Sequence, residues 1–157
     1  MARPPAAADR TGELTTSRLA RAQGLYVLVT GAWPLVHYRS FERVTGPKAD
    51  RWLVQTVAGL AVTIGWSMLR SGSAPEAHPT AARLGVGSAL TFGAIDAVYG
   101  TSGRIRRIYL ADAAVEAGWL AAWRSAGRVR KDRDAGPRPR RAGFPAPRAG
   151  RARAGRA

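Results

Sequence analysis

The chain has 157 residues, enough for one domain, and carries 25 Lys plus Arg against 10 Asp plus Glu, a formal net charge of +15. It has no cysteine and only two histidines, which excludes disulfides, thiolate nucleophiles and cysteine-based zinc or iron–sulfur sites and argues against a histidine-rich metal site. The basic residues are concentrated in tails and loops and the apolar residues in four blocks, so we predict an all-α protein, a four-helix transmembrane bundle.

The elements follow in chain order. Residues 1–17 are polar and rich in Pro and Ala, and they predict a flexible N-terminal tail. The first apolar block, about 19–38, begins too late for a cleaved signal peptide and is interpreted as an uncleaved span. The second block, 52–69, is free of charge and, at 1.5 Å per residue, about 27 Å long, close to the thickness of the hydrocarbon layer. The third span, about 84–99, and the fourth, about 108–123, are shorter and contain acids.

The segment 124–157 differs from the rest, because 12 of its 34 residues are basic and most of the others are Ala, Gly and Pro. Such a composition predicts a disordered Arg-rich tail. We expect it to contact anionic lipid headgroups and to fix topology, whereas its single aromatic residue, Phe144, argues against nucleic acid as a partner. Basic residues are about twice as numerous on the side of the two termini, which predicts a bacterial plasma membrane protein with both termini in the cytoplasm. A homo- or hetero-oligomer is left open.

Polar side chains inside three spans recur every three or four residues, so that each set shares one helix face: Gln23, Tyr26, Thr30, Trp33 and His37 in the first; Thr56, Thr63, Ser67 and Arg70 in the second; Asp112, Glu116, Trp119 and Trp123 in the fourth. Unpaired polar groups are costly in hydrocarbon, so these faces predict a polar interior seam. A second kind of stripe, made of small residues, predicts close packing of the third span on the fourth: Gly85, Ala89, Gly93 and Ala97, with Ala114, Gly118 and Ala122.

Three acids inside the spans form the first candidate site. Asp96, Asp112 and Glu116, with His37 and Gln55 toward the same membrane face, predict a polar intramembrane cluster. One interpretation is a proton or cation site or a polar ligand pocket. The other, which the sequence favours, is that the acids pair with basic side chains and only hold the bundle together: Arg51, Arg104, Arg106 or His37. We expect no metal ligand set, no cofactor and no catalytic residue.

The loop 39–51 is the second candidate site, since it mixes bases, acids, an aromatic ring and a Gly-Pro turn. Its candidate binding residues are Phe41, Glu42, Thr45, Gly46, Pro47, Lys48, Asp50 and Arg51. It is interpreted either as a tight turn on the membrane surface, with Phe41 and Val44 dipping in, or as a loop that binds a ligand or partner.

Residues 21–57 carry a recognisable pattern, which continues more loosely through Asp96 and Glu116. Its parts are Trp33-Pro34-Leu35, His37, Ser40-Phe41-Glu42, Val44-Thr45-Gly46-Pro47-Lys48, Asp50 and Trp52-Leu53-Val54. This pattern resembles a family of small uncharacterised bacterial membrane proteins, over about residues 18–123. The resemblance implies a four-span membrane protein and no specific activity, and the long Arg-rich tail departs from it.

Sequence signatures of common enzymes are absent, with no Gly-rich phosphate loop, no GxSxG and no HExxH. The leading functional prediction is therefore a non-enzymatic accessory or structural membrane protein. The alternatives are a small transporter or channel component that uses the acidic cluster, and a membrane enzyme acting on a lipid-like substrate. A soluble four-helix protein is also left open.

Overall fold

The structure is a computed structural model and describes residues 7–134. Within this range all the regular secondary structure is helical, which confirms the all-α prediction. The helices are α1 (Ala7–Val36), α2 (Tyr38–Thr45), α3 (Arg51–Ser71), α4 (His78–Thr101) and α5 (Ile108–Asp134), and a short 3₁₀ turn, Pro75–Ala77, precedes α4.

Two helices extend beyond their apolar blocks. Helix α1 begins at Ala7, so residues 7–17, which were predicted to be a flexible tail, are helical. Helix α5 continues to Asp134, so residues 124–134 are helical rather than part of a disordered tail. Neither extension contains proline, which would break a helix, and the second is rich in Arg, a good helix former. The remainder of the two predicted tails, 1–6 and 135–157, lies outside the described residues.

The loop 39–51 is also more regular than expected, because it contains α2. His37 ends α1 and caps α2, since its Nδ1 accepts a hydrogen bond from the Ser40 amide at 3.2 Å. Gly46 ends α2 with a φ of 89°, a conformation that glycine adopts without steric cost, and its amide donates to the Glu42 carbonyl oxygen at 2.8 Å. The predicted Gly-Pro turn is therefore confined to the few residues between α2 and α3.

Helices α1 and α3 are antiparallel and approach so closely that their backbones touch. A Cβ added to Gly65 would lie 2.6 Å from the carbonyl oxygen of Gly24, and one added to Gly31 would lie 2.8 Å from the Cβ of Ala61. Glycine at these positions removes the side chains that would keep the helices apart. The sequence analysis did not anticipate this contact.

Helices α4 and α5 form a second antiparallel pair, as the small residues of the third span predicted. Gly85 faces the indole of Trp123, Gly93 faces the Cβ of Glu116, and Gly100 faces Leu110. The stripe predicted on α5 is not part of the contact, because a Cβ added to Gly118 would meet no atom within 4 Å. The large side chains of α5 instead fill the space above the glycines of α4.

The bundle buries some of its polar side chains and exposes many of its large apolar ones. Gln23 and Glu116 are among its largest fully buried side chains, whereas Trp52, Leu60 and Trp66 on α3 are 58–67% exposed. In a soluble protein of this size the large apolar residues occupy the interior. Helices α3 and α4 are each long and apolar enough to cross a membrane.

The contact between α1 and α3 gives a test of the packing. We expect Gly65→Ala to lower the melting temperature of the purified protein, because its Cβ would lie 2.5 Å from the Leu28 amide nitrogen and overpacking costs about 1–3 kcal/mol. Gly59→Ala on the same helix is the matched control, since a Cβ there meets no atom within 4 Å. Thermal unfolding followed by circular dichroism would contradict this packing if both variants melted alike.

Candidate functional site

A single buried glutamine joins three helices of the bundle. Gln23 on α1 has no exposed surface; its Nε2 donates to the Gly85 carbonyl oxygen on α4 at 2.9 Å, and its Oε1 accepts from Nε1 of Trp123 on α5 at 2.6 Å. The nitrogen and the oxygen of the side chain thus each have a hydrogen-bond partner, which is the condition under which a buried amide is tolerated. The tie holds α1 against the pair α4–α5.

One turn further along α1, the polar faces of α1 and α5 meet. The Tyr26 hydroxyl donates a hydrogen bond to Asp112 Oδ1, and the Tyr26 ring lies 5.9 Å from the ring of Trp119. Together with the Gln23–Trp123 bond, these contacts form the polar seam that the spacing of residues on the first and fourth spans predicted.

The polar face of the second span does not join this seam. Thr56 and Thr63 on α3 are exposed, and each donates at 3.0 Å to the carbonyl oxygen four residues earlier in its own helix. Ser67 does the same at 2.8 Å. Because a hydroxyl can satisfy its own helix in this way, it needs no interior partner, and the prediction that this face turns inward was wrong.

The three acids line one pocket between the helices. The pocket has a volume of about 350 Å³, and Asp96, Asp112 and Glu116 all contribute to its wall. Asp96 is 6% exposed and Asp112 is half-buried, so both carboxyls are partly or largely removed from water in the same pocket. Carboxylates that share one pocket repel one another when they are ionised.

Glu116 is the most deeply buried of the acids. Its side chain is 2% exposed, and its Oε2 is buried without any hydrogen-bond partner. A buried carboxyl oxygen with no partner carries the full cost of its lost hydration. The burial of this oxygen therefore costs stability.

The basic side chains that the sequence analysis favoured as partners of these acids make other contacts. Their contacts are Arg51 over the Tyr38 ring at 4.6 Å, Arg104 near the Tyr99 ring at 6.0 Å, Arg106 Nη1 with the Arg43 carbonyl oxygen at 2.9 Å, and His37 with the Ser40 amide. None of these contacts reaches an acid of the pocket. The bases lie in the loops and at helix ends, whereas the acids lie inside the bundle.

The loop between α1 and α3 contributes one end of the pocket, where Phe41, Lys48 and Tyr109 lie, and this end is called the mouth. Lys48 is half-buried there, with its Nζ 4.9 Å from the centre of the Tyr109 ring and 5.9 Å from that of Phe41. The same Nζ donates to the Thr45 carbonyl oxygen at 2.9 Å, and the Lys48 amide donates to Glu42 Oε1 at 3.2 Å. The turn thus holds an ammonium group against two aromatic faces.

Apolar side chains make up most of the remaining wall. They come from α1, α3 and α4, and include Val27, Pro34, Leu53, Val57 and Phe92. The pocket is consequently a largely apolar chamber with acids on one side and aromatic rings at its mouth, the usual composition of a small-molecule site.

The structure separates the other predicted site residues from this pocket. His37 caps α2, and Gln55 is exposed on the outer face of α3. The loop residues Thr45, Gly46, Pro47 and Asp50 line a second pocket together with Arg104 and Arg106, and Lys48 lines both pockets. The aromatic rings of Tyr26 and Tyr109 were not predicted as site residues, although Tyr26 had been placed on the polar face of the first span.

Comparison with protein-family models, with curated proteins and with solved structures found no match. The functional argument therefore rests on the geometry of the pocket and on the distribution of side chains. The resemblance to a four-span family stays a prediction.

The Gln23 tie gives a second test. We expect Gln23→Leu to destabilise the protein by about 1–3 kcal/mol, because Trp123 Nε1 and the Gly85 carbonyl oxygen would both lose their buried partner. Gln55→Leu makes the same chemical change at an exposed position of α3 and serves as the control. Equal unfolding midpoints for the two variants, measured by thermal denaturation, would contradict the role given to Gln23.

Proposed function

We propose that this chain is an integral membrane protein in which α1, α3, α4 and α5 cross a bacterial plasma membrane, and that its acid-lined pocket binds a cation. In this proposal the protein works as a small transporter or channel component. The observation that carries it is Glu116, which has a buried and unpartnered carboxyl oxygen and lines a pocket together with Asp96 and Asp112.

The outer surface of the bundle supports the membrane part of the proposal. Helices α3 and α4 meet the length and hydropathy of a span. Helices α1 and α5 carry more polar residues, but Gln23 and Glu116 are buried and Asp112 is half-buried, while Leu25, Val29 and Val115 are 43–56% exposed. Polar groups inside and apolar groups outside are the arrangement that lipid demands.

The bundle geometry supports a common side for the two ends of the chain. Gln23 of α1 contacts Trp123 of α5, and Tyr26, further along α1, contacts Asp112, earlier in α5, so these two helices are antiparallel. Ala7 and Asp134 therefore belong to the same end of the bundle, and the pocket mouth at Lys48 belongs to the other. With the termini in the cytoplasm, the mouth opens to the outside.

The chemistry of the pocket supports a cation rather than an anion or a neutral ligand. Three carboxyls that share one pocket favour bound positive charge over bound negative charge. Within the described residues 7–134, Lys48 is the only basic side chain on the wall, and its Nζ bonds to the Thr45 carbonyl oxygen. A proton or another cation would supply the missing charge.

A structural role for the acids is the second candidate, and one contact favours it. Asp112 accepts a hydrogen bond from Tyr26, which links α5 to α1 in the way expected of an accessory or structural subunit. In that case Asp112 holds the bundle, and the unpartnered oxygen of Glu116 has no role.

Cation movement separates the two candidates. We expect purified protein in liposomes to conduct protons or potassium ions, followed with a pH-sensitive or potassium-sensitive dye, and Glu116→Gln to abolish the flux while the protein still folds. Glu76→Gln, at an exposed position in the turn before α4, is the matched control and should keep the flux.

A flux that survives in Glu116→Gln would remove Glu116 from the proposed function. Loss of the folded protein in Asp112→Ala, together with no flux in the unmodified protein, would support the structural role instead, because Tyr26 would have lost its acceptor.

Membrane topology is tested separately. We expect the protein to stay in the membrane pellet after a carbonate wash, a reporter fused at the C-terminus to be active in the cytoplasm, and a reporter inserted after Ala49 to be active outside. Release into the supernatant would contradict the four-span proposal, and reporters on opposite sides from those expected would reverse the orientation.

A further inference from the structure

We propose that the pocket takes a small organic ammonium ion with an apolar body, and that Lys48 is a tethered ammonium group that competes with this ligand at the mouth. The inference rests on the proposed function, because it names the class of cation that the acid-lined pocket would bind. It also gives a role to Lys48, which the transport proposal does not use.

The size of the pocket favours an organic ligand. A volume of about 350 Å³ falls in the range of small-molecule sites and is far larger than a bare metal ion needs. Among residues 7–134 as described, no group of three or more His, Asp or Glu side chains is arranged to hold a metal ion. A ligand that fills this chamber must therefore carry volume as well as charge.

The lining indicates how that volume and charge are distributed. The carboxyls of Asp96, Asp112 and Glu116 lie on one side, and Glu116 Oε2 has no partner. Apolar side chains such as Val57 and Phe92 form other parts of the wall. A strongly hydrated inorganic cation would gain nothing from those side chains, whereas an ammonium ion with a hydrocarbon or aromatic body would contact them and place its charge near the acids.

The aromatic rings at the mouth already contact one ammonium group. Lys48 places its ammonium group 4.9 Å from the centre of the Tyr109 ring and 5.9 Å from that of Phe41. Cations in this position are attracted by the ring quadrupole, and aromatic faces are a recurrent device for binding alkylammonium ions. Lys48 thus occupies the kind of position that the charged group of such a ligand would take on its way to the acids.

The attachment of Lys48 allows it to leave. Its Nζ is held by one hydrogen bond, to the Thr45 carbonyl oxygen at 2.9 Å. It lies on the short turn between α2 and α3, next to the exposed residues Pro47 and Ala49. A lysine side chain is flexible and its ammonium group is well hydrated, so it can move from the mouth into water. An arriving ammonium ion then replaces one cation on the rings with another, and like charge keeps the two from sharing the mouth.

The test uses the full chain in lipid nanodiscs and two probes of the same shape. Benzyltrimethylammonium carries a positive charge that does not depend on pH, and neopentylbenzene is its neutral isostere. We expect radiolabelled benzyltrimethylammonium to bind in equilibrium dialysis and excess neopentylbenzene not to displace it. Glu116→Gln should weaken binding about tenfold or more, the scale of a lost buried charge interaction.

The lysine variants separate competition from support. We expect Lys48→Met, which keeps an apolar stem and removes the charge, to tighten binding of benzyltrimethylammonium by about five- to tenfold, the scale of one cation–π competitor. Lys131→Met is the control, since Lys131 is the other lysine of the chain and is exposed on α5. It should leave the affinity unchanged.

Three outcomes would overturn the inference. They are displacement by neopentylbenzene, which would make the pocket merely apolar; unchanged or weaker binding in Lys48→Met; and no binding to the unmodified protein. If Glu116→Gln fails to fold, the affinity of Lys48→Met for benzyltrimethylammonium still tests the inference, because Lys48 lies on a short turn between helices.

The flux assay keeps this inference apart from the proposed function. Proton or potassium flux that depends on Glu116, without binding of benzyltrimethylammonium, would refute the organic ligand and leave cation transport in place. Binding that responds to Lys48 and Glu116, without flux, would support the ligand class and refute transport.

Discussion

The need to bury polar side chains between helices, and to satisfy most of them there, governs this structure. Gln23 meets that need at one point by donating to α4 and accepting from α5, so that three helices are tied through one side chain. Tyr26 repeats the arrangement one turn further along with Asp112. These contacts set the position of α1 against the pair α4–α5, and the pocket is the space left beyond them, where the side chains no longer reach each other.

Close backbone contact and open space occur in the same bundle for a related reason. Glycine at positions 24, 31 and 65 brings α1 and α3 together, and glycine at 85 and 93 lets Trp123 and Glu116 of α5 pack over α4. Each pair is therefore tight within itself. Between the pairs the contacts are fewer, and they combine the bonds of Gln23 with an apolar cluster of Ala20, Met68, Ala81 and Trp123. This boundary is where a cavity can exist without breaking either pair. The acids of α4 and α5 face that boundary.

The three acids are not equivalent. Asp112 is held by Tyr26, whereas Glu116 has a buried oxygen with no partner. An acid engaged with a hydroxyl contributes to packing, and an acid without a partner costs stability. The sequence-based preference for pairing with Arg51, Arg104, Arg106 or His37 rested on these bases lying toward the same membrane face as the acids. The structure directs those bases to loop carbonyls, aromatic rings and a helix cap, because they lie beyond the ends of the spans.

Residue periodicity alone determined the helical class and the approximate position of the four long helices. It also determined that Gln23, Tyr26 and Asp112 face the interior of the bundle, because spacings of three and four place side chains on one side of a helix. It also located Asp96, Asp112 and Glu116 as members of one cluster. Periodicity failed for Thr56 and Thr63, whose hydroxyls bond to their own helix, and for helix ends, where apolar blocks are shorter than the helices that contain them. Only the tertiary structure decided that Phe41, Lys48 and Tyr109 meet at one mouth, that α1 and α3 touch through glycine, and that Glu116 has no partner. These facts depend on the distance between elements far apart in the chain, and no local pattern encodes that distance.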